Sequence, residues 1–465
     1  MKRRLFAIAL VLTLLLSACS SGKAAQEAAG PETTPPASAA QEKTGAAPQE
    51  PAKTAEPVID AATGKKKLIL AGIRLSDYGW DFLAEQFNAQ SEDYIVELRD
   101  YYAGDFDGGN VDKDTISRLR SDIEDAKTRL HTDLIVGKLP DMLVFDQLSP
   151  LLYLGKGLLL DLDPYVAQDK DVSGEDFLCW NALHEYGGLY ILAKQFIVET
   201  LMCSQDFYAA HRGWSIADYL SIEQSLRGDQ QMIYYMSQDE FLTQMGGQYR
   251  KKALDLQNAS CDFDNGEFLG ILNGALSCGQ YEALDYAGTP IGKRMEAGEL
   301  MCCATWLDDP ADVTFDRVQS GKQLSYIGWP MVDGSVGSSA ALYGAISALS
   351  STACPEGCWE FVKYVLQHGA NAFEPGSPIY APLMYEQVAQ RNETTAGKYT
   401  TATQEDIEAY IAAAQACPAM GFRDESITDI ITRETAPMFA GDITPEEAAR
   451  NIQSSVSLYM VEQYG

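Results

Sequence analysis

The chain has 465 residues, 46% of them hydrophobic and 22% charged, and a formal net charge of −31. That length is more than one hydrophobic core fills and suits two packed bodies of ordinary size. The acidity disfavours a phosphate backbone as partner, and no basic stripe with interleaved aromatics offsets it, so nucleic acid is set aside.

Lys2, Arg3 and Arg4 precede a run from Leu5 to Leu16 that is apolar apart from Thr13. About twelve apolar residues cannot cross a bilayer, which needs roughly twenty. Leu16-Ser17-Ala18-Cys19 then closes the run with small residues before a cysteine. The layout over 1–18 resembles a bacterial lipoprotein signal peptide. That resemblance implies cleavage before Cys19, acyl chains such as palmitate on Cys19, and a lipid-anchored place on the extracellular face of the cytoplasmic membrane. Each buried methylene contributes about 0.8 kcal/mol, so a multiply acylated cysteine anchors stably. Residues 19–64 carry scattered prolines from Pro31 to Pro57 and almost no large apolar side chain. They read as a disordered tether.

Beyond the tether, strand and helix patterns alternate, which predicts an α/β architecture. Lys67-Leu68-Ile69-Leu70-Ala71 reads as a buried strand, and Trp80, Leu83 and Phe87 recur at helical spacing. Tyr94-Ile95-Val96-Glu97-Leu98 is a second strand. Ile116, Leu119, Ile123, Leu130 and Leu134 mark a long amphipathic helix, and residues 140–146 return to a strand. Trp214 before the Ile216, Tyr219, Leu220 pattern reads as packing, as does Trp359 in a helix opened by Pro355. Near the end, Thr444-Pro445-Glu446-Glu447 is a capping box with proline at the first helical position, followed by an apolar face of Ala448, Ile452, Val456 and Met460.

The order of Ala84-Glu85-Gln86-Phe87-Asn88, Gly137-Lys138-Leu139-Pro140-Asp141, Gly157-Leu158-Leu159-Leu160-Asp161-Leu162 and Tyr186-Gly187-Gly188-Leu189-Tyr190 is a first set of short segments. Tyr326 to Gly334 and Pro355 to Tyr364 continue the series. Together they resemble the family 1 extracellular solute-binding proteins that serve ABC importers, chiefly of carbohydrates. The resemblance implies a two-lobed periplasmic-binding-protein-like (type II) α/β fold with a hinge and an interlobe cleft. It places residues 65–193 with about 304–333 in an amino-terminal lobe, and about 194–303 with 334–465 in a carboxy-terminal lobe. The function it implies is capture of a small solute, a mono- or oligosaccharide, by a monomer that delivers it to ABC permease subunits. A non-transport surface glycan-binding lipoprotein and a carbohydrate-active enzyme stand as alternatives.

Open α/β sheets bind ligands at the carboxyl ends of strands. A sugar needs a flat apolar face for its C–H groups and carboxylate or amide acceptors for its hydroxyls. Asp77, Tyr78 and Trp80 after the first strand, Asp146 after the strand ending at Phe145, and Trp306 and Asp308 after an apolar strand at 300–304 supply both. Packing on the core for Trp80 and helix capping for Asp77 remain open as structural roles, and Trp329 is either hinge floor or contact.

No metal or other cofactor is expected. After Cys19, nine cysteines remain with no CxxC pair, and none of the four histidines has zinc-ligand spacing. In apolar contexts such as Leu300-Met301-Cys302-Cys303-Ala304 these cysteines read as reduced, small hydrophobes. Calcium loops fail on inspection. Counting from Asp105 puts Asn110 at the turn-glycine position and Ile116 at that of the bidentate glutamate, and the loop at Asp262 fails likewise. No nucleophile elbow, HExxH or phosphate-binding loop is present, so the chain reads as a binder and not an enzyme.

Overall fold

A computed structural model describes residues 56–104, 112–227, 230–278, 290–331, 334–370, 374–395, 401–422 and 424–465. The signal segment, Cys19, the tether as far as residue 55 and the loop at Asp105 lie outside the described residues.

Strand β1 (Lys66–Gly72) buries Leu68, Leu70 and Ala71 completely. Helix α1 (Trp80–Gln90) starts after Gly79, whose φ of 72° a side chain would resist. It buries Trp80, Leu83, Ala84 and Phe87, one helical face, and Phe87 meets Phe361 edge-on at 5.1 Å. Strand β2 (Tyr94–Asp100) pairs parallel with β1. In helix α2 (Lys113–Ile135) the Asp112 carboxylate accepts the Thr115 N–H, capping the amino end. The strand expected over 140–146 is only Met142–Val144, β3. Just before it, the Asp141 carboxylate accepts the Ile69 N–H at 2.8 Å and the Thr352 hydroxyl at 2.6 Å.

The remaining principal elements are β4 (Leu192–Cys203), β5 (Gln231–Ile233), α3 (Gln238–Ala253), β6 (Leu300–Leu307), α4 (Pro310–Ser320), β7 (Ser339–Ala348), α5 (Pro355–His368), α6 (Gln404–Gln415), α7 (Glu425–Phe439) and α8 (Pro445–Tyr464). One mixed sheet runs β2-β1-β3-β7-β4-β6-β5. Within it β4 pairs antiparallel with β7 on one side and β6 on the other.

Two principal hydrophobic cores flank this sheet. The first takes β1, β3, α1, α5 and α6, with Val198 of β4, Leu307 of β6, and Ala345 and Ile346 of β7. The second takes Leu201 and Cys203 of β4, Trp214, Trp329 and the buried faces of α3, α7 and α8. Residues 345–420, expected in the carboxy-terminal lobe, therefore pack with the amino-terminal strands, because β7 inserts between β3 and β4. Trp329, expected on the amino-terminal side, sits in the second core.

Local chemistry fixes the helices as the sequence indicates. The Thr444 N–H donates to Glu447 Oε2 at 2.9 Å while Thr444 Oγ1 caps the Glu447 N–H, and Ala448, Ile452, Val456 and Met460 are fully buried. Trp214 is core, its Nε1 donating to the Gly328 carbonyl at 3.1 Å. Trp359 is buried and donates to Asp169 Oδ2 at 2.8 Å. Arg317 of α4 grips Asp406 of α6 with two 2.8 Å hydrogen bonds, a planar fork that sets one helix against the other.

The nine cysteines are free, and all but Cys261 are buried. Burial pushes the thiols of Cys203 and Cys303 up to about 12. The thiolate is the reactive form, so these groups are inert in the folded chain. A Cys19→Ala chain titrated with an aromatic disulfide at pH 8 is expected to release about one equivalent at most when native, from Cys261, and nine when denatured. A denatured count well below nine would show cross-links instead.

Candidate functional site

The carboxyl ends of β1 and β3 lie side by side and point along the direction in which β4 leaves the first core for the second. The turn after β1 is held by Asp100, which accepts the Arg74 and Leu75 N–H groups at 2.9 and 2.7 Å. Arg74 there has a φ of 61° and pairs with Asp77 at 2.6 Å. Asp77 is thus turned outward onto its own turn.

Tyr78, Trp80 and Asp146 do come together, around a residue that sequence reasoning missed. Lys194 of β4 is fully buried, donates to the Tyr78 carbonyl at 2.9 Å, pairs with Glu374 and lies 5.0 Å from the centre of the Trp80 ring. Trp80 Nε1 donates to Asp146 Oδ2 at 3.1 Å, and the Gly344 N–H donates to Asp146 Oδ1 at 2.8 Å. Burial pushes the Asp146 carboxyl up, and the Trp80 donor and the Lys194 charge pull it back. Gln147 Nε2 donates to the Tyr78 hydroxyl at 2.8 Å. Gly344 is required: a Cβ there would overlap Lys194 Cε, and its φ is +62°. Trp80 has no exposed surface, so it is a wall behind this loop.

Trp306 lies inside β6, not in a loop after it, because the strand runs on to Leu307. It is 54% exposed and stands directly across from Glu199 of β4, which stands across from Ser339 of β7. Residues opposite one another share a face of the sheet, so an indole, a carboxylate and a hydroxyl form one row. Ser339 Oγ donates to Glu199 Oε2 at 3.0 Å and accepts from Gln248 Nε2 of α3 at 3.1 Å. Next to the row is a recess of about 10 Å³, room for about one water, lined by Glu199, Gln244, Gln248, Arg250, Ser339 and Phe422. It lies between a second-core helix and first-core strands, and it is smaller than the roughly 300–1,000 Å³ of small-molecule sites. Burial, with the Glu199 and Asp308 carboxylates nearby, pushes the Tyr343 phenol up to about 12, so it is a neutral hydroxyl.

Glu199, Ser339, Gln248 and Arg250 were not singled out from sequence. Glu199 alone left a signal, as an acid within the apolar strand Leu192–Cys203. Trp329 is 1% exposed in the second core, and its Nε1 has no hydrogen-bond partner among the described residues. A second recess, of about 30 Å³ between α3 and α7, is lined mainly by apolar side chains such as Leu242, Phe263, Ile427 and Ile431. It includes none of the residues chosen from sequence. Among the described residues no group of three or more His, Cys, Asp or Glu is placed to hold a metal ion. Asn265 in the loop at Asp262 caps a helix, accepting the Glu267 and Phe268 N–H groups.

No family model matches the chain, and no curated protein matches it. Among solved structures it is similar to a periplasmic oligogalacturonide-binding protein from Yersinia enterocolitica, with 14% identity over 86% of this chain and 100% of that one and a TM-score of 0.50. It is also similar to an extracellular solute-binding protein family 1 member from Alicyclobacillus acidocaldarius, at 13% identity over 85% of this chain and 98% of that one, TM-score 0.48. The sugar-binding protein MalE from Xanthomonas citri gives 14% identity over 85% and 98%, TM-score 0.48. The similarity to the Yersinia protein identifies the fold as a periplasmic-binding-protein-like α/β fold.

Asp308 and the N-cap Asp309 precede α4, which carries Asp312 in its first turn and Asp316 one turn on. Burial, then Asp312 and Asp309, push the Asp308 carboxyl up to about 6. Burial, then Asp312, raise Asp316 to about 6 against the pull of the Tyr326 hydroxyl, which donates to it at 3.2 Å. Both groups bind protons more tightly folded than unfolded, so stability falls as pH rises from about 4 to about 6 and stays lowered above that. His131, whose pKa burial lowers, acts in the opposite sense over part of this range. Asp406, held down to about 2, matters only below about pH 4. The expected result is that Asp316→Asn raises Tm more at pH 7 than at pH 5. Equal differences at the two pH values would remove Asp316 as a titrating group.

Proposed function

We propose that this chain is the extracellular solute-binding component of an ABC importer and that it captures a neutral mono- or oligosaccharide. The observation that carries the ligand class is the row of Trp306, Glu199 and Ser339 on strands common to both cores. An exposed indole supplies the apolar face for sugar C–H groups, while Glu199, Gln248 and the Tyr343 hydroxyl supply partners for sugar hydroxyls. The carboxylates of Glu199 and Asp308 disfavour an anionic sugar. The recess is too narrow for a sugar ring, so the cores part to admit it and close on it, as split contacts favour. In this reading Tyr78 and Asp146 border the cleft from the first core, and Trp80 and Trp329 support it from behind.

The importer role rests on the fold together with the amino-terminal segment. A signal over 1–18 and lipid on Cys19 would hold a monomer at the outer face of the cytoplasmic membrane, with permease subunits as its partners. Among the described residues no helix is long and apolar enough to cross a membrane.

A thermal-shift screen over carbohydrates tests the ligand class: neutral sugars are expected to stabilise, by about 2.7 kcal/mol at 100 times the dissociation constant, and uronic acids are not. With the sugar so identified, Trp306→Ala is expected to lose on the order of 1–3 kcal/mol of binding, roughly five- to hundred-fold, with Tm retained. Trp214→Ala should instead cost about 3–5 kcal/mol of stability through a core cavity. Normal binding by Trp306→Ala would remove Trp306 from the site. For the anchor, Cys19→Ala is expected to move the protein from the detergent phase to the aqueous phase with the folded part unchanged, and unaltered partitioning would refute the lipid assignment.

A further inference from the structure

Arg250 belongs to the second core by its helix, α3, but sends its guanidinium into the first. Nη2 donates to the Met420 carbonyl at 2.6 Å and reaches Glu185 Oε2 at 3.4 Å. Nη1 donates to the Tyr186 hydroxyl and lies 3.1 Å from Glu185 Oε1. Glu185 Oε2 also accepts the Met420 N–H at 2.8 Å. Both charged side chains are buried, yet the set is incompletely satisfied. The 3.1 Å approach is an ion-pair distance out of line for a hydrogen bond, and Glu185 Oε1 and Arg250 Nε have no hydrogen-bond partner among the described residues.

A buried pair of this kind attracts strongly across a low-dielectric gap and loses much hydration to do so. Each unpartnered atom would be satisfied by water once the cores part. The two tendencies oppose each other at one contact between two bodies that share strands, and Arg250 also lines the recess beside Glu199. We infer that Glu185, Tyr186 and Arg250 form a latch that holds the two cores together over the recess. Glu185 and Tyr186 would thereby govern ligand access without lining the recess, a consequence that rests on the solute-binding reading; the latch itself does not.

Small-angle scattering on the whole chain, with no ligand added, tests it. Glu185→Ala leaves the Arg250 charge uncompensated in the closed arrangement, so a shift to a larger radius of gyration is expected. Tyr186→Phe removes one acceptor and should shift the radius less, in the same direction; it carries the test if far-UV circular dichroism shows that Glu185→Ala does not fold. Glu185→Leu with Arg250→Met removes both charges and should bring the radius back below that of Glu185→Ala, since no charge remains to be desolvated, although the Met420 N–H and carbonyl lose partners. An unchanged radius in the folded single variants overturns the latch, and so does a double variant as expanded as Glu185→Ala. A carbohydrate screen that found no binder would overturn the sugar-binding reading and leave this result standing.

Discussion

Strand β4 is the constraint on which the remaining architecture depends. It is twelve residues long and hydrogen-bonded on both sides, with Val198 in the first core and Leu201 in the second. Side chains alternate between faces, so Val198 and Leu201, three apart, meet their cores from opposite faces and at successive places along the strand. Along β4, Glu199 is the one residue only half-buried, and it falls between those two contributions. The polar row is thus placed where the packing of one core ends and that of the next begins.

Lys194 shows the same strand acting on the loops. A buried ammonium is tolerated only with dense compensation, here Glu374, the Tyr78 carbonyl and the Trp80 face. Its path exists because residue 344 is glycine. The loops after β1 and β3 are therefore set by a side chain from the middle of the sheet, through contacts that reach 116 and 180 residues along the chain. Tyr78 and Asp146 take their positions from that network, and their own sequence neighbourhoods contribute little.

Local signals were legible. The proline and capping box at Thr444, the helical spacing from Trp80 and the apolar run at Leu68 each depend on a few adjacent residues, and each is where it was expected. What joins distant segments was not legible. The end of β6 was misplaced because Trp306 and its preceding threonine fit a strand as well as a loop, and pairing with Glu199 and Thr200 decides the matter. The division between cores was misplaced because nothing in residues 345–420 shows that β7 will insert beside β3. Ser339 and Gln248 are ordinary polar residues until 91 positions of chain separation close to a 3.1 Å contact.

That insertion bears on how the chain is made. β3 has neighbours on both sides only when β7 has arrived, and the first core lacks α5 and α6 until residues beyond 400 are present. Contacts of such long sequence separation form slowly, because loop-closure entropy is lost before any contact compensates it. An amino-terminal half emerging from the ribosome therefore has no closed core to collapse into.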